Sequence, residues 1–331
     1  MRVGILGVGR LGASHAASLR ALGEVGELRV YDADPARAAN VARDVEAVAV
    51  PSEDAAIGGS DAVVIVTPTP THVPLIRRCV ESGIPTFCEK PIAIGIPETR
   101  KIVELVATKG GRVQIGFQRR FDAGYRAARE RIAAGALGPV FSFSMTSCDR
   151  LPPPDEYVRT SGGQFKDQFI HDFDITRWLF ASEVEEVSAM GSTLGFPQYE
   201  PLGDVGTSAV VLRLASGTLG VLTAARWNEA GYDIHVEVHG AKETLAIGID
   251  PRTPWRSVEA DAPPLGGPAY PSFFVRFGDA YRAELRHFLA FARGEAENPC
   301  TVADALEAIR IAEACGRSWR EGRPVRLAEV A

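Results

Sequence analysis

The N-terminal strand and the glycine turn after it constrain the fold of this chain more than any other stretch. An apolar run from Arg2 to Leu6 leads into Gly7-Val8-Gly9-Arg10-Leu11-Gly12, and residues 13–22 have helical character. The glycines let the backbone turn tightly and approach a pyrophosphate, whose charge then meets the amides of the helix N-terminus. The pattern therefore predicts a dinucleotide site with contacts from Gly7, Gly9, Arg10, Leu11 and Gly12.

A second signal is the acid that ends the next predicted strand, residues 27–31. Asp32 lies 20 residues beyond Gly12. A carboxylate at about this spacing typically binds the ribose hydroxyls of the cofactor. The residue after it is Ala33, where an arginine would suit a 2′-phosphate. The sequence therefore predicts that NAD is preferred over NADP.

Strand and helix patterns alternate as far as residue 117. We expect helices at 35–44, 73–81 and 97–109, and strands at 62–66, 85–88 and 112–117. This alternation is typical of a doubly wound parallel sheet, which binds ligands outside the carboxyl ends of its strands. Two polar motifs, Thr67 to His72 and Glu89-Lys90-Pro91, come directly after predicted strands. Further cofactor contacts are therefore predicted at Thr67, Thr69, His72, Glu89 and Lys90.

The segment from Ser161 to Trp178 gathers aromatic and ionisable side chains at roughly helical spacing. Phe165, Phe169 and Phe173 mark the apolar stripe of a buried amphipathic helix. Asp167, His171 and Asp174 would stack over successive turns on its other stripe, where a carboxylate can orient an imidazole as a general base. The alternative is a core helix in which His and Asp only satisfy each other. A partner site elsewhere in the chain is needed to decide.

Composition limits the remaining possibilities. The chain of 331 residues, 46% hydrophobic and 24% charged, is long enough for two globular domains, which we place at 1–118 and 119–331. A net charge of −6 without any basic run argues against nucleic acid and anionic membranes as partners. No apolar stretch reaches the roughly 18 residues of a membrane span, so we expect a cytoplasmic protein. The five scattered cysteines predict reduced packing residues, not disulfides or a metal site.

The second domain reads differently after residue 121. A helix at 123–134 and a strand at 140–146 are followed by β-rich runs at 207–214, 218–225 and 232–240, and helices at 274–293 and 301–320 close the chain. Short glycine-containing turns between the β-rich runs predict an antiparallel sheet. His235 and His239 lie on the polar face of the last run. Without a third ligand nearby, they are more typical of a surface or an interface than of a metal site.

Five motifs together resemble the Gfo/Idh/MocA oxidoreductase family and, within it, the inositol 2-dehydrogenases. In the family's order they are GVGRLG, TPTPTH, EKP, the GFQRRFD of residues 116–122, and the SGGQFKDQFIHDFDITRWL of residues 161–179. The resemblance implies a Rossmann domain followed by an α/β domain with a large open sheet, through which the chains assemble as a homodimer or homotetramer. It also implies that Lys90, Asp167 and His171 are catalytic. Thr69 stands where family members often have asparagine.

The implied reaction is the oxidation of a secondary hydroxyl of a cyclic polyol by NAD, with myo-inositol going to the 2-keto-inositol. Here His171 takes the hydroxyl proton, since an imidazole has an ordinary pKa of about 6.5. Asp167 orients the ring, and the Lys90 ammonium stabilises negative charge that develops on oxygen. Because these residues come from both predicted domains, we expect the site in the cleft between them.

Four further side chains are candidates for binding the polyol: Arg120, Asp149, Asp174 and Tyr232. For Arg120 the alternative is a salt bridge at the domain boundary, and for Asp149 it is a loop-capping acid. Two rival functions also stay open. One is an NAD(P)-dependent dehydrogenase of another sugar or sugar derivative, and the other is a non-catalytic, NAD-dependent sugar sensor. A sensor has no need of Lys90, Asp167 and His171 together.

Overall fold

The chain divides into two compact units. A computed structural model describes residues 1–255, 257–259, 261 and 267–330. The first unit comprises Met1–Phe121 and Asp279–Glu307, and the second comprises Asp122–Gly278 and Ala308–Ala331. The expected boundary after residue 118 lies close to the first division. However, the later segment Asp279–Glu307 returns to the first unit, which a single boundary does not provide for.

The first unit contains a parallel sheet. Within the described residues its six strands follow the order β3-β2-β1-β4-β5-β6, and all neighbours run parallel. The strands are β1 Arg2–Leu6, β2 Glu27–Tyr31, β3 Val48–Ala49, β4 Ala62–Ile65, β5 Thr86–Glu89 and β6 Val113–Gly116. The intervening helices are α1 Arg10–Ala21, α2 Pro35–Asp44, α3 Glu53–Ile57, α4 His72–Glu81 and α5 Ile96–Lys109. This strand order confirms the predicted doubly wound sheet, and it brings the carboxyl ends of β1, β4 and β5 to one edge.

The second unit is built on a mixed sheet. Over the described residues the order of its seven strands is β12-β11-β7-β10-β9-β8-β13, where only β7 and β10 pair in parallel. The strands are β7 Val140–Cys148, β8 Val184–Ser192, β9 Thr207–Leu214, β10 Leu219–Ala225, β11 Asp233–Gly240, β12 Thr244–Ile247 and β13 Val325–Arg326. The helices of the remaining chain are α6 Ala123–Ala133, α7 Asp155–Ser161, α8 Gln164–Asp167, α9 Ile170–Phe180, α10 Phe273–Arg276, α11 Gly278–Arg293 and α12 Val302–Glu321. The prediction of a mostly antiparallel sheet is therefore confirmed.

One predicted helix is interrupted. The single helix expected between Ser161 and Trp178 consists of α8 and α9, and the Phe169 N–H donates to the Gln164 carbonyl, five residues back, at 3.1 Å. Such a wide turn breaks the regular spacing of an α-helix. Asp167 and His171 therefore lie on different helical segments, and the prediction that they share one helix is wrong. The apolar stripe is confirmed, because Phe165, Phe169 and Phe173 are buried and stack in sequence.

The break has a cause that periodicity does not encode. The side chain of Gln164 donates to that of Gln168 at 2.9 Å and accepts from Ser208 at 2.5 Å. The Gln168 amide in turn donates to the main-chain carbonyls of Ser147 and Ala225 on the sheet. Since buried amides must find partners, this network fixes the turn between the two segments.

The predicted helix at 274–293 is likewise divided, into α10 and α11. Leu285, Phe288 and Leu289 of α11 belong to the same buried cluster as Val3 and Ile5 of β1. Apolar contacts of this kind are the main source of stability in a globular core. The segment that returns to the first unit thus contributes part of that unit's core.

His235 differs from its predicted place on an exposed or interfacial surface. Its Nδ1 lies 2.8 Å from a carboxylate oxygen of Asp233, and the ring meets Trp255 edge to face at a centroid distance of 4.5 Å. Trp255 also donates its indole N–H to Asp233 at 3.0 Å. The tryptophan therefore covers His235 on a face of the sheet that was expected to be solvated or to form an interface, and the predicted position of His235 at a surface or interface is wrong.

All five cysteines lie in the described residues, none is in a disulfide, and four of them are buried. Burial raises the pKa of Cys79 to about 11, so this thiol stays protonated as expected of a packing residue.

Among the helices that the structure describes, none combines the length and the apolar character needed to cross a membrane.

Candidate active site

The glycine turn has the shape that a dinucleotide requires. Gly7 adopts a left-handed φ of 84°, and a Cβ on Gly12 would lie 2.0 Å from the Gly7 carbonyl oxygen. A side chain at Gly12 would thus prevent the helix from packing on the turn. Gly9, by contrast, faces open space at the start of α1, where a Cβ would meet no atom within 4 Å. That space, at the N-terminus of α1, fits a pyrophosphate.

Asp32 follows β2 directly and is bonded on both carboxylate oxygens. One oxygen accepts from the Val8 N–H of the glycine turn at 2.8 Å, and the other accepts from Arg37 at 3.1 Å. The first bond fixes the acid beside the turn, as its spacing predicted. The second was not anticipated, because Arg37 is a half-exposed residue of α2 with no place in the motif. Arg37 therefore offsets part of the charge that would repel a 2′-phosphate.

His72 ties two loops of the first unit together. Its Nδ1 lies 2.8 Å from the Pro91 carbonyl and its Nε2 lies 2.7 Å from the Thr67 carbonyl. Burial lowers the pKa of His72, and the bonds to these carbonyls oppose that shift in part. The imidazole is thus engaged with main chain at both nitrogens. A direct contact from His72 to the cofactor stays a prediction, as does one from Thr69 in the short 3₁₀ turn Thr69–Thr71.

Glu89 and Lys90 come at the carboxyl end of β5. The Glu89 side chain is buried, and one of its oxygens lies 2.7 Å from Nε2 of His15 on α1. Lys90 is only partly buried and begins a cis peptide bond to Pro91. The acid is therefore used inside the first unit, and its predicted cofactor contact stays untested. Lys90 directly follows the carboxyl end of β5, as the sequence predicted.

Arg120 makes a salt bridge, as its alternative expected, but both partners belong to the first unit. Its guanidinium donates to the Pro299 carbonyl at 2.6 Å and pairs with Asp304 at 3.2 Å. Burial tends to raise the pKa of Asp304. The Arg120 charge and the hydrogen bonds from Thr301 together outweigh burial, so the pKa is lowered from its ordinary value. The pair is therefore ionised over the physiological pH range. A substrate contact by Arg120 stays a prediction, and it would have to share this guanidinium.

Asp167 is held by two donors, of which one lies 10 residues and the other 59 residues away along the chain. The Tyr157 hydroxyl donates to Oδ1 at 2.8 Å, and the Arg226 guanidinium donates to Oδ2 at 3.3 Å. Burial is the main cause of the raised pKa of Tyr157, and the negative charge of Asp167 adds to it. The phenol therefore stays protonated and can only donate here. Both donors stabilise the ionised form of Asp167.

The other predicted residues of the second unit lie as follows. His171 is partly buried in the first turn of α9, and Asp174, one turn further on, is only 1% exposed. Asp149 follows β7, where its N–H donates to the Ala225 carbonyl at 2.9 Å. Tyr232 directly precedes β11, and its ring meets Phe277 edge to face at 6.5 Å. The substrate roles of Asp149, Asp174 and Tyr232 stay predictions.

No group of three His, Cys, Asp or Glu side chains suited to holding a metal ion is found among the residues that the structure covers. The polar side chains described above are lysine, histidine and paired acids, which move protons and stabilise charge without a Lewis acid. A histidine and a bonded carboxylate, such as His171 and Asp167 of the second unit, are groups that can remove a proton from a hydroxyl.

Comparison with known proteins decides the family. Residues 1–117 match the oxidoreductase family with an NAD-binding Rossmann fold, and residues 125–246 match the GFO/IDH/MocA C-terminal domain. The chain belongs to the Gfo/Idh/MocA oxidoreductase family. It is accordingly an NAD-dependent dehydrogenase, and the NAD site predicted from the glycine turn and Asp32 agrees with the family.

Three relatives show how far the likeness extends. Myo-inositol dehydrogenase Hyg17 of Streptomyces leeuwenhoekii is 39% identical over 97% of this chain and 98% of its own length. The crystal structure of a myo-inositol dehydrogenase from Corynebacterium glutamicum is 35% identical and superimposes with a TM-score of 0.89 over 99% of this chain and 98% of that one. The scyllo-inositol dehydrogenase of Lactobacillus casei, solved with NAD(H) and scyllo-inositol, is 27% identical, with a TM-score of 0.87 over 99% of both chains.

Sequence reasoning missed several residues around Asp167 in this family member. Tyr157 and Arg226 contact its carboxylate, and Asp204 lies 3.2 Å from the same guanidinium. These residues are far apart along the chain, so no motif spacing connects them. The one available signal was Arg226 itself, a charge placed directly after the apolar alternation of β10.

Proposed function

We propose that this protein oxidises a secondary hydroxyl of myo-inositol, or of a close cyclitol, to the ketone with NAD. The observation that carries the proposal is an Asp167 carboxylate held by two donors four residues before His171, in a chain that resembles inositol dehydrogenases over its full length. The residues of the glycine turn would hold NAD, which would supply the acceptor for the hydride that leaves carbon. The protein's own residues must then deal with the hydroxyl proton.

In the proposed mechanism His171 is the general base for that proton. Asp167 favours the charged form of the imidazole by its negative charge, while its own ionisation is secured by Tyr157 and Arg226. Lys90 stabilises the oxygen as the proton leaves, because an ammonium lowers the energy of a developing alkoxide. Asp149, Asp174, Arg120 and Tyr232 are proposed to orient the polyol.

The proposal is tested with a panel of substrates. Purified protein with NAD is assayed by NADH absorbance against myo-inositol, scyllo-inositol, hexoses and amino sugars in separate reactions. We expect the highest kcat/KM with an inositol. Turnover of hexoses alone would move the function to the sugar dehydrogenase, and NAD binding without turnover of any polyol would indicate the sensor. The reaction is proposed to take place in the cytoplasm, where cysteine thiols stay reduced.

We also propose that the protein is a homo-oligomer that pairs through the outer face of the second unit's sheet. Large apolar side chains are exposed on neighbouring strands there: Val211 of β9 is 50% exposed and Val221 of β10 is 44% exposed. Val211 and Val221 are direct cross-strand partners. A contiguous apolar surface on a sheet is an association surface in most soluble proteins.

Light scattering at micromolar concentration should therefore give a mass of at least twice the 35.5 kDa of one chain. Val211→Glu combined with Val221→Glu places two charges on the face and should shift the mass towards the monomer. Val258→Glu, at an exposed apolar residue off this face, is the matched control and should leave the mass unchanged. A wild-type mass of one chain would contradict the proposal.

A further inference from the structure

The Asp167 carboxylate belongs to a buried charge cluster that the motif does not contain. The Arg226 side chain is 1% exposed, and its guanidinium donates to Asp167 at 3.3 Å and to Asp204 at 3.2 Å. A buried guanidinium with two carboxylate partners is costly to desolvate, and one use of such a cluster is to hold its members in a specific geometry. The cluster therefore calls for a role beyond packing.

Asp204 connects this guanidinium to the start of α8. Its other carboxylate oxygen accepts from the Gln164 N–H, the first amide of that helix, at 2.8 Å. A Cβ on Gly163, which has a left-handed φ of 85°, would lie 2.9 Å from the same oxygen. The glycine thus lets the acid approach the helix start. Arg226 therefore bonds two acids at opposite ends of α8. Asp204 accepts from the first amide of this helix, and Asp167 is its last residue.

We propose that Arg226 is the positioning residue of Asp167, and that it sets the orientation and effective charge that Asp167 presents to His171. Tyr157 assists by bonding the other carboxylate oxygen. This inference rests on the proposed function, in which Asp167 tunes the base. Asp204 then also affects the pKa of His171, because Asp167 and Asp204 share the one Arg226 guanidinium.

The charged groups around Asp167 are consistent with this assignment. Burial alone would lower the pKa of Arg226, but the charges of Asp167, Asp204 and Asp149 raise it above its ordinary value, so the guanidinium stays charged. Lys166, the neighbour of Asp167 in the chain, pairs instead with Glu313 at 2.6 Å. Of these two donors to Asp167, Arg226 carries a positive charge and Tyr157 is neutral.

The sign of each substitution follows from charge. Arg226→Met removes a positive charge, so Asp167 stabilises the imidazolium more strongly and the pKa of His171 should rise by about 0.5 to 1 unit. Asp204→Asn keeps an oxygen that accepts from the Gln164 N–H but removes the competing charge. Arg226 then neutralises Asp167 more fully, and the pKa of His171 should fall. Tyr157→Phe removes a donor from Asp167 and should raise it slightly.

The test is an NMR pH titration of the His171 ring in the full chain, without substrate or cofactor. The chain has six histidines, and the His171→Ala spectrum assigns the signal. Opposite shifts in Arg226→Met and Asp204→Asn are expected, which general structural damage would not produce. The acidic limb of the pH profile of kcat/KM for inositol oxidation should move in the same two directions, and Arg226→Lys should restore the wild-type limb more than Arg226→Met.

The matched control is Arg276→Met. Arg276 pairs at 2.8 Å with Asp122, another acid that caps a helix, so this variant loses the same kind of ion pair away from Asp167. It should leave the His171 titration unchanged. If Arg226→Met does not fold, Asp204→Asn and Tyr157→Phe decide, because Tyr157→Phe keeps the ring and removes only the hydroxyl that donates to Asp167.

Shifts of one sign in Arg226→Met and Asp204→Asn, or none in either, would overturn the positioning role. Because the titration needs no turnover, this failure is separate from that of the proposed function. A protein that oxidises no polyol could still show the opposite shifts, and an active inositol dehydrogenase could show none.

Discussion

His171→Ala should lower kcat for inositol oxidation by about 10² to 10⁴, since general-base catalysis contributes a factor of that size. The wild-type rate should rise with pH through the range near 6.5 in which an imidazole ordinarily loses its proton. The variant should lose this limb of the profile. Steady-state kinetics over a range of pH, at saturating NAD, measure both effects.

Two companion variants make the result specific. Lys90→Ala should also reduce kcat while NAD binding, followed by fluorescence, stays close to that of the wild type. His239→Ala removes a partly exposed histidine of β11 and should change neither quantity. Full activity in His171→Ala would show that this histidine is only structural, and the proposed mechanism would have to be abandoned.

The second large effect concerns the cofactor. We expect the wild-type protein to prefer NAD over NADP by about tenfold or more in kcat/KM, because the Asp32 carboxylate repels a 2′-phosphate. Asp32→Ser with Ala33→Arg should relax or reverse this preference. Arg37 contributes to the effect, because the bond it makes to Asp32 in the wild type would be lost and its charge could turn to the phosphate.

Asp34→Ser is the matched control for cofactor choice. Asp34 also carries negative charge beside Arg37, and it caps α2, a role that serine can keep. This variant should retain the preference for NAD. Equal kcat/KM for the two cofactors in the unmodified protein would refute the role assigned to Asp32.

Local patterns predicted the parts of this fold that depend on local chemistry. The glycine turn at Gly7, the strand that ends at Asp32 and the alternation of β9 each follow from residues within a few positions of one another. The parallel sheet followed because glycine turns and short strands leave few ways to connect such elements. In the same way, Lys90 was placed at a strand edge by the order of strand and helix alone.

The errors arose where side chains from distant residues decide the outcome. The helix around Asp167 breaks because Gln164 and Gln168 bond to each other and to the sheet, and periodicity does not register such bonds. His235 is buried because Trp255, 20 residues later, covers it. The partner of Asp167 was missed for the same reason, since Arg226 is 59 positions away.

The return of α11 to the first unit bears on how the protein is made. Leu285, Phe288 and Leu289 leave the ribosome only after the whole of Asp122–Gly278 has been synthesised. Until then the N-terminal parallel sheet lacks the apolar contacts that α11 makes with it. The apolar surface that α11 later buries is therefore accessible to chaperones or to other nascent chains. A chain released before residue 279 would carry every residue of the glycine turn and yet lack the means to complete the domain that contains it.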